Sequence, residues 1–487
     1  MVTSEEYRKR LYAMRPNIRL FGRQVGRDDP NIQPGIRTIS LTYDLARDPQ
    51  YQSLICTSSS LTGRKISRFN HLSQTAQDLI DKIRMTRVCC QKLTYCIQRC
   101  MGIDGLQALG EVTFQMDRKK GTAYHPRFLE YMKFFQEEDL VIAGAMTDVK
   151  GDRNLRPHQQ ADPDLYLHVV ERRDEGIVVR GAKAHTTAGP YAEELLVLPT
   201  RAMTEKDADY AVSFAIPADT SGIHLIAKVK AWPKREQMKN AITGYGASES
   251  ITVFDNVLVP WDRVFMCGEW EYAGVLASMF SRFHRHSYCG CKPAIVDSQI
   301  GASALLARYN GVEKSSHVRQ KLVELITTAE QVYACGIASA IMGKKSDSGI
   351  FLPNSIYCNS GRYLAGQKFH QGFEIVHDIA GGPISTLPDE REFLDEFSGP
   401  YLQKYLKGKE GFSAEDRVRA YRLIEDMTVS QRAAQNLVGG LHGGGSPEME
   451  RIAILADYDL EEKIRMAQEL AGIGQVMKEG KGSAGQG

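Results

Sequence analysis

No run of about eighteen apolar residues occurs in the 487-residue chain, so no helix of it is expected to cross a bilayer. Net charge is nearly absent. Lys and Arg total 61 against 59 Asp and Glu, so no long-range field favours nucleic acid or a membrane as partner. The opening residues MVTSEEYRKRLYAM lack the apolar core of a signal peptide. Ten cysteines without regular spacing or a secretion signal read as cytoplasmic thiols or ligands rather than disulfides. The chain also lacks a C-x2-C knuckle, an internal repeat, and a GxGxxG following an early strand. A Rossmann NAD site is therefore not indicated.

What is present suggests a multidomain α+β protein. The apolar and charged fractions are those of an ordinary globular chain, and the length points to two or three domains. Residues 1–140 read as an N-terminal helical domain. From Ser73 to Met101 apolar residues recur at three- and four-residue steps through Leu79, Ile80, Ile83, Val88, Leu93 and Ile97, which predicts one helix carrying Cys96 and Cys100 on its buried face. Residues 141–274 hold short β-branched segments such as EGIVVRGAKAH, YAVSFAIPA and SITVFDNVLVP, expected to form a middle β-barrel or sandwich domain. Residues 275–487 return to helical patterns long enough for a C-terminal bundle, ending in a solvated tail, KEGKGSAGQG.

Two distant clusters carry the chemistry. CIQRC supplies Cys96 and Cys100, and FHRHSYCGCKP supplies His284 and Cys291. Three sulfurs and one imidazole select zinc or an iron–sulfur cluster. His284 and Cys291 would stand about 10 Å apart along a continuous helix, too far for one ion, but Gly290 and Pro293 predict a turn at Tyr288–Pro293 instead. Taken singly, each cysteine is equally a small buried hydrophobe, the reading given to Cys56, Cys89, Cys90, Cys267, Cys335 and Cys358. Cys289 is ambiguous, two residues from Cys291. A structural Cys3His zinc site stays open on spacing alone.

The chain resembles the 4-hydroxybutyryl-CoA dehydratase branch of the 4-hydroxyphenylacetate hydroxylase group. The likeness runs through CIQRCMGID (96–104), MTDVKGDR (146–153), GAKAHTTA (181–188), FDNVLVP (254–260), FHRHSYCGCK (283–292), HDIAGG (377–382) and LHGGGSPEMERI (441–452). The first and fifth motifs separate this branch from the flavin monooxygenases of the group. The resemblance implies an acyl-CoA dehydrogenase-like fold, FAD, and a [4Fe–4S] cluster held by Cys96, Cys100, His284 and Cys291. It places FAD against Met146, Thr147, Asp148, Val149, Lys150, Gly151, Asp152 and Arg153. It adds His185, Thr186 and Thr187, then Gly381 and Gly382, and finally Gly443, Gly444, Gly445 and Ser446, whose glycines would permit close backbone approach.

The implied activity is radical dehydration of 4-hydroxybutyryl-CoA to crotonyl-CoA, with vinylacetyl-CoA Δ-isomerisation, in a cytoplasmic homotetramer. The hydroxyl leaves from C4 while the hydrogen at C3 is not activated by the thioester, so reversible one-electron oxidation by FAD and an iron Lewis acid would both be needed. Implied catalytic residues are His284, as ligand and base, and Glu448, with Glu450 as the competing assignment. Glu249, Tyr288, Lys292, Thr187 and Gln98 complete the set. Arg282, Arg285 and Lys292 are candidates for CoA phosphate or carbonyl contacts. Rival readings are an isomerase without dehydration, a cluster-free flavin monooxygenase acting on a phenol, and a zinc-stabilised helical scaffold.

Overall fold

The computed structural model describes residues 1–230 and 235–473; residues 231–234 and the tail KEGKGSAGQG lie outside the described residues. Seven helices carry the site. They are α1 (Ala76–Gln91), α2 (Cys100–Lys120), α3 (Trp270–Tyr309), α4 (Ser316–Ile341), α5 (Ser355–Ala380), α6 (Gln431–His442) and α7 (Pro447–Asp457).

The helix predicted over 73–101 is in fact two. A capping box between Thr75 and Asp78 starts α1, which buries Leu79, Ile83, Thr86 and Cys90 and ends at Gln91. Residues 92–99 form an irregular link with Thr94 and Gln98 at φ of 53° and 61°, which no regular right-handed helix contains. Cys96 lies in this link, while Cys100 opens α2. Cys96 and Cys100 therefore do not share a helix face.

The opposite correction applies to the second cluster. The predicted turn at Tyr288–Pro293 is absent, and α3 runs unbroken for 40 residues with Pro293 inside it. Gly290 is required by packing rather than by a turn. A Cβ there would lie 2.5 Å from the carbonyl oxygen of Ile83 on α1, so the absence of a side chain lets α1 and α3 approach closely.

The β region is not a closed barrel. A six-stranded sheet runs Arg23–Val25, Ile18–Leu20, Ile223–Lys230, Ala247–Pro260, Gly176–Thr187, His168–Arg172. A four-stranded sheet runs Val264–Cys267, Val212–Pro217, Glu194–Val197, Ile142–Ala145. Both remain open, and they share one apolar core that includes Ile177, Val179, Leu225, Phe254, Val197 and Phe214, as packed sheets do. Two strands from the first 25 residues extend the larger sheet, the inner one parallel to Ile223–Lys230. The register of the larger sheet sets Glu249 opposite Thr187.

Candidate active site

Three helices meet where the two cysteine-bearing segments converge. Lys82 and Thr86 are one turn apart on α1, Cys100 and Asp104 one turn apart on α2, and α3 brings His284, Ser287 and Cys291. In one layer, fully buried Asp104 pairs with Lys82, accepts from Ser287 Oγ at 3.0 Å, and lies 2.8 Å from His284 Nδ1. Burial opposes the charge on Asp104, but Lys82 and His284 outweigh it and hold the carboxyl below its ordinary range. In the next layer, Thr86 Oγ1 lies 3.7 Å from Cys100 Sγ, and Cys96 packs against the buried group that holds Cys100 and Cys291.

The sulfurs differ in acidity. The neighbouring Cys291 thiol favours the thiolate form of Cys96 against burial, with Lys292 and the Gln98 backbone N–H assisting. Nearness to Cys96, with burial, pushes Cys291 up, and burial pushes Cys100 up. Cys96 is thus disposed to lose its proton, as a metal-ligating thiol must. Among the described residues no three His, Cys, Asp or Glu side chains close round a single ion. An iron–sulfur cluster makes a different demand, because its ligands bind separate irons. The donor set of three thiols and one imidazole, drawn together from the link and two helices, fits that demand.

Asp104 stands in the CIQRCMGID motif but received no role from the sequence. Its signal was a carboxylate one helical turn from Cys100, on a face otherwise apolar. Cys90 belongs to the same buried group as Cys100 and Cys291, although its spacing gave no hint of it. Cys289 faces away, toward Gly336, Gly361 and Cys335. His286 is a core histidine, both nitrogens taken by Ser339 Oγ at 2.7 Å and Leu79 O at 3.0 Å.

A polar wall lies beside Cys96. Buried Gln98 accepts from Tyr191 Oη, which in turn accepts from Ser248 N at 2.9 Å. Glu249, next along that strand, accepts from Gln435 on α6 at 2.8 Å. Asn436 donates to Thr94 O at 3.3 Å, and the Arg432 guanidinium lies 4.3 Å from the Tyr95 ring centroid. Within this wall Gln98 Nε2, Thr94 Oγ1, Gln435 Oε1 and Asn436 Oδ1 are buried without a hydrogen-bond partner, a state seldom left unmet. Tyr191, Gln435 and Asn436 were not anticipated, since neither GPY nor AAQN resembles a motif.

The HGGGSP segment folds onto α3 and α5. A Cβ on Gly443 would fall 1.7 Å from Tyr288 Oη, and Gly444 and Gly445 have φ of 77° and 114°. These glycines serve close approach to Tyr288 and Arg285. Arg285 donates to Gly444 O at 3.0 Å and Arg362 to Gly443 O at 3.0 Å. Arg285 and Arg282 were candidates for CoA contacts; instead Arg285 is bound here and to Asn359, and Arg282 donates to Pro353 O. Lys292 Nζ sits buried over the Tyr288 and Phe369 rings, 4.9 and 5.0 Å from their centroids. Gly443→Ala is expected to cost about 1–3 kcal/mol through overpacking, read as a lower urea midpoint at unchanged slope. Gly382→Ala, where a Cβ meets open space, should leave the midpoint unmoved.

The two glutamates of SPEMERI part company. Glu448 is exposed at the start of α7, 3.3 Å from Arg451, so the structure turns the first-choice residue outward. Glu450 is fully buried, 3.3 Å from Arg362 Nε, and neither of its oxygens completes a hydrogen bond. Burial pushes its carboxyl up, with Arg362 and Arg285 opposing.

The two central segments that the resemblance places against FAD are stitched together. Asp148 and Lys183, both buried, pair at 2.7 Å, and Lys183 also donates to Met146 O and Leu198 O. Ala184 N donates to Thr147 O at 2.7 Å. Val149, Gly151, Asp152 and Arg153 face solvent, and Lys150 is half-buried. Burial and nearby Arg153 hold Lys150 below the usual lysine range. Of His185, Thr186 and Thr187, the first is exposed and the second is bonded within the sheet to Thr252. Thr187 is half-buried opposite Glu249. Gly381 ends α5 with φ of 71°; Gly382 follows, also exposed. Gly381 borders an open groove of about 850 Å³ between α4 and α5.

Two models of one family, the N-terminal and C-terminal parts of 4-hydroxyphenylacetate 3-hydroxylase, match residues 3–266 and 273–472. The chain belongs to the 4-hydroxyphenylacetate 3-hydroxylase family. It is 39% identical to the 4-hydroxybutyryl-CoA dehydratase/vinylacetyl-CoA-Delta-isomerase of Clostridium aminobutyricum, over 97% of this chain and all of that protein. It is 28% identical to the oxygenase component of 4-hydroxyphenylacetate 3-monooxygenase of Thermus thermophilus, over 88% of each. Among solved structures, an oxygen-tolerant archaeal 4-hydroxybutyryl-CoA dehydratase from N. maritimus superposes with a TM-score of 0.92 at 39% identity, covering 97% of this chain and 95% of that one. A 4-hydroxyphenylacetate 3-monooxygenase oxygenase component complexed with FAD and 4-hydroxyphenylacetate superposes at 0.85 with 25% identity, covering 97% of this chain and 99% of that one.

Proposed function

We propose that this chain dehydrates 4-hydroxybutyryl-CoA to crotonyl-CoA and interconverts vinylacetyl-CoA and crotonyl-CoA, using FAD and a [4Fe–4S] cluster. The observation that carries this reading is the convergence of Cys96, Cys100 and Cys291 in one buried group, with His284 held by Asp104 one turn along from Cys100. Similarity to the dehydratase/isomerase is also full-length, whereas similarity to the monooxygenase is weaker.

FAD would supply reversible one-electron exchange with the substrate, and the cluster a Lewis-acidic iron for the departing hydroxyl. Cys96, Cys100, Cys291 and His284 would hold the cluster. Met146–Arg153, with Thr187, would meet the flavin; the clamp between Asp148 and Lys183 supports this by fixing both segments in one surface. In the wall beside Glu249, the unpaired Gln98 Nε2, Gln435 Oε1 and Asn436 Oδ1 suit an alcohol, which both gives and accepts a hydrogen bond. Tyr288 and Lys292 lie on the α3 face beside Cys291 and would orient the thioester. Glu450, buried and pushed toward its neutral form, is the better placed of the two C-terminal glutamates for moving a proton.

The acyl-CoA dehydrogenase-like arrangement, the cytoplasmic setting and a homotetramer belong to the same proposal. No described helix is long and apolar enough to cross a membrane. Val438, Ile452, Leu455 and Leu470 on the C-terminal helices are exposed, Leu470 at 81%. Apolar surface of that extent suits burial against another copy.

The deciding experiment is an anaerobic preparation assayed for iron, sulfide and flavin per chain, then incubated with 4-hydroxybutyryl-CoA and, separately, vinylacetyl-CoA. Crotonyl-CoA from both is the expected outcome. Turnover of vinylacetyl-CoA alone would mark an isomerase, and flavin without iron would reject the cluster.

A further inference from the structure

We propose that Asp104 is the positioning residue of His284, fixing its imidazole with the proton on Nδ1 and Nε2 left as the nitrogen that meets metal or substrate. This rests on the proposed function only for what Nε2 meets; the tautomer follows from the hydrogen bonds themselves.

Asp104 faces three groups at once. Lys82 brings a buried ammonium to one oxygen, where Ser287 Oγ also donates at 3.0 Å. The other oxygen lies 2.8 Å from His284 Nδ1. An ionised carboxylate can only accept, so the imidazole must present N–H on Nδ1, which leaves Nε2 as the nitrogen available to a ligand. A carboxylate on the far nitrogen of a ligating histidine sets both tautomer and ring orientation.

The ring plane is held independently. Phe280 stacks on His284 with centroids 5.4 Å apart and planes at 15°, and Tyr288 meets it edge-on at 5.1 Å and 81°. Rotation about the outer bond of the side chain is therefore opposed from both sides, while Asp104 selects which of the two flipped states is occupied. His286, two residues on, shows the contrast, since both its nitrogens are bonded in the core. The layer ordering also matters. Asp104 and Cys100 are one turn apart on α2, as are Lys82 and Thr86 on α1. The ion-paired layer thus indexes His284 to the sulfur layer beside it.

Removing Asp104 alone would strand the ammonium of Lys82, and a misfolded protein would teach nothing. The informative variant is charge-neutral, Lys82→Met with Asp104→Asn, alongside Ser287→Ala as a milder perturbation. Fold and flavin are monitored by circular dichroism and bound FAD. The readouts are iron and sulfide per chain, the nitrogen hyperfine coupling in pulsed EPR of the reduced protein, and the histidine 15N shifts of the iron-free protein, assigned with His284→Gln. Expected for the double variant are normal FAD, metal retention about 10–100-fold weaker, and a changed nitrogen coupling. Wild-type iron-free protein should show Nδ1–H. Full iron with unchanged coupling in the folded double variant, or a bare Nδ1 in the wild type, would overturn the assignment. If wild-type protein holds no cluster at all, the proposed function fails, and the 15N result still decides the role of Asp104.

Discussion

Cys291→Ala protein should purify folded and flavin-bound, carry little iron, and convert no 4-hydroxybutyryl-CoA above background. The expectation follows from the convergence of Cys96, Cys100 and Cys291 in one buried group. Each thiolate would hold a separate iron, so one deletion leaves one iron without its protein ligand. The structural cost should be modest, because Cys291 is a small buried side chain whose removal opens a small void; about 1–2 kcal/mol is the scale for losing one heavy atom in a core. The flavin segments are tied through Asp148 and Lys183 on another part of the chain, which is why FAD should stay. Cys100→Ala should behave alike. Cys90 lies in the same buried group, so Cys90→Ala with Cys100→Ala is the stricter form. Iron and sulfide analysis with a flavin spectrum checks the result, and full iron with full activity in either single variant would remove that cysteine from the ligand set.

Glu450→Gln should keep both cofactors and lose about 10²–10⁴-fold in turnover, the usual contribution of a positioned acid or base. Glu448→Gln should stay within about twofold of wild type, since a solvent-exposed ion pair with Arg451 contributes little. The contrast is sharp because the two residues are near-identical in sequence context and opposite in environment. Glutamine keeps the side-chain shape at that position but cannot take up or release the proton, and it leaves Arg362 without its anionic neighbour. A loss of folding rather than of turnover would show as a lowered melting temperature. Steady-state assays of both variants, on protein matched for iron and flavin, settle which carboxylate works. Normal turnover in the Glu450→Gln protein would end the assignment.

Periodicity revealed most elements, because helix and strand spacing follows from which side chains are buried. EGIVVRGAKAH and YAVSFAIPA appear as strands where their β-branched residues predicted them. Spacing alone left each cysteine equally a small buried hydrophobe, and only the resemblance of CIQRCMGID and FHRHSYCGCK singled out Cys96, Cys100, His284 and Cys291. Geometry between segments was not legible. The link at 92–99 hides behind apolar residues that mimic a helix face, and only the left-handed backbone at Thr94 and Gln98 reveals the break. Gly290 and Pro293 suggested a turn because their local preferences are strong, yet contact with Ile83 on α1 decided the glycine's use. The barrel failed for a similar reason, as closure depends on how edge strands pair, which no single segment encodes. Glu448 was favoured over Glu450 on motif alignment. Which of two residues on one helix faces inward depends on what α5 presents, here Arg362.

Cys96 and Cys100 come from the N-terminal of the two family halves, His284 and Cys291 from the C-terminal one. An inorganic core gripped by all four would rivet those halves across their seam, and its binding free energy would be added to their docking. Loss of metal would then loosen a joint as well as silence a reaction, so damage at the centre would be felt throughout the body of the protein.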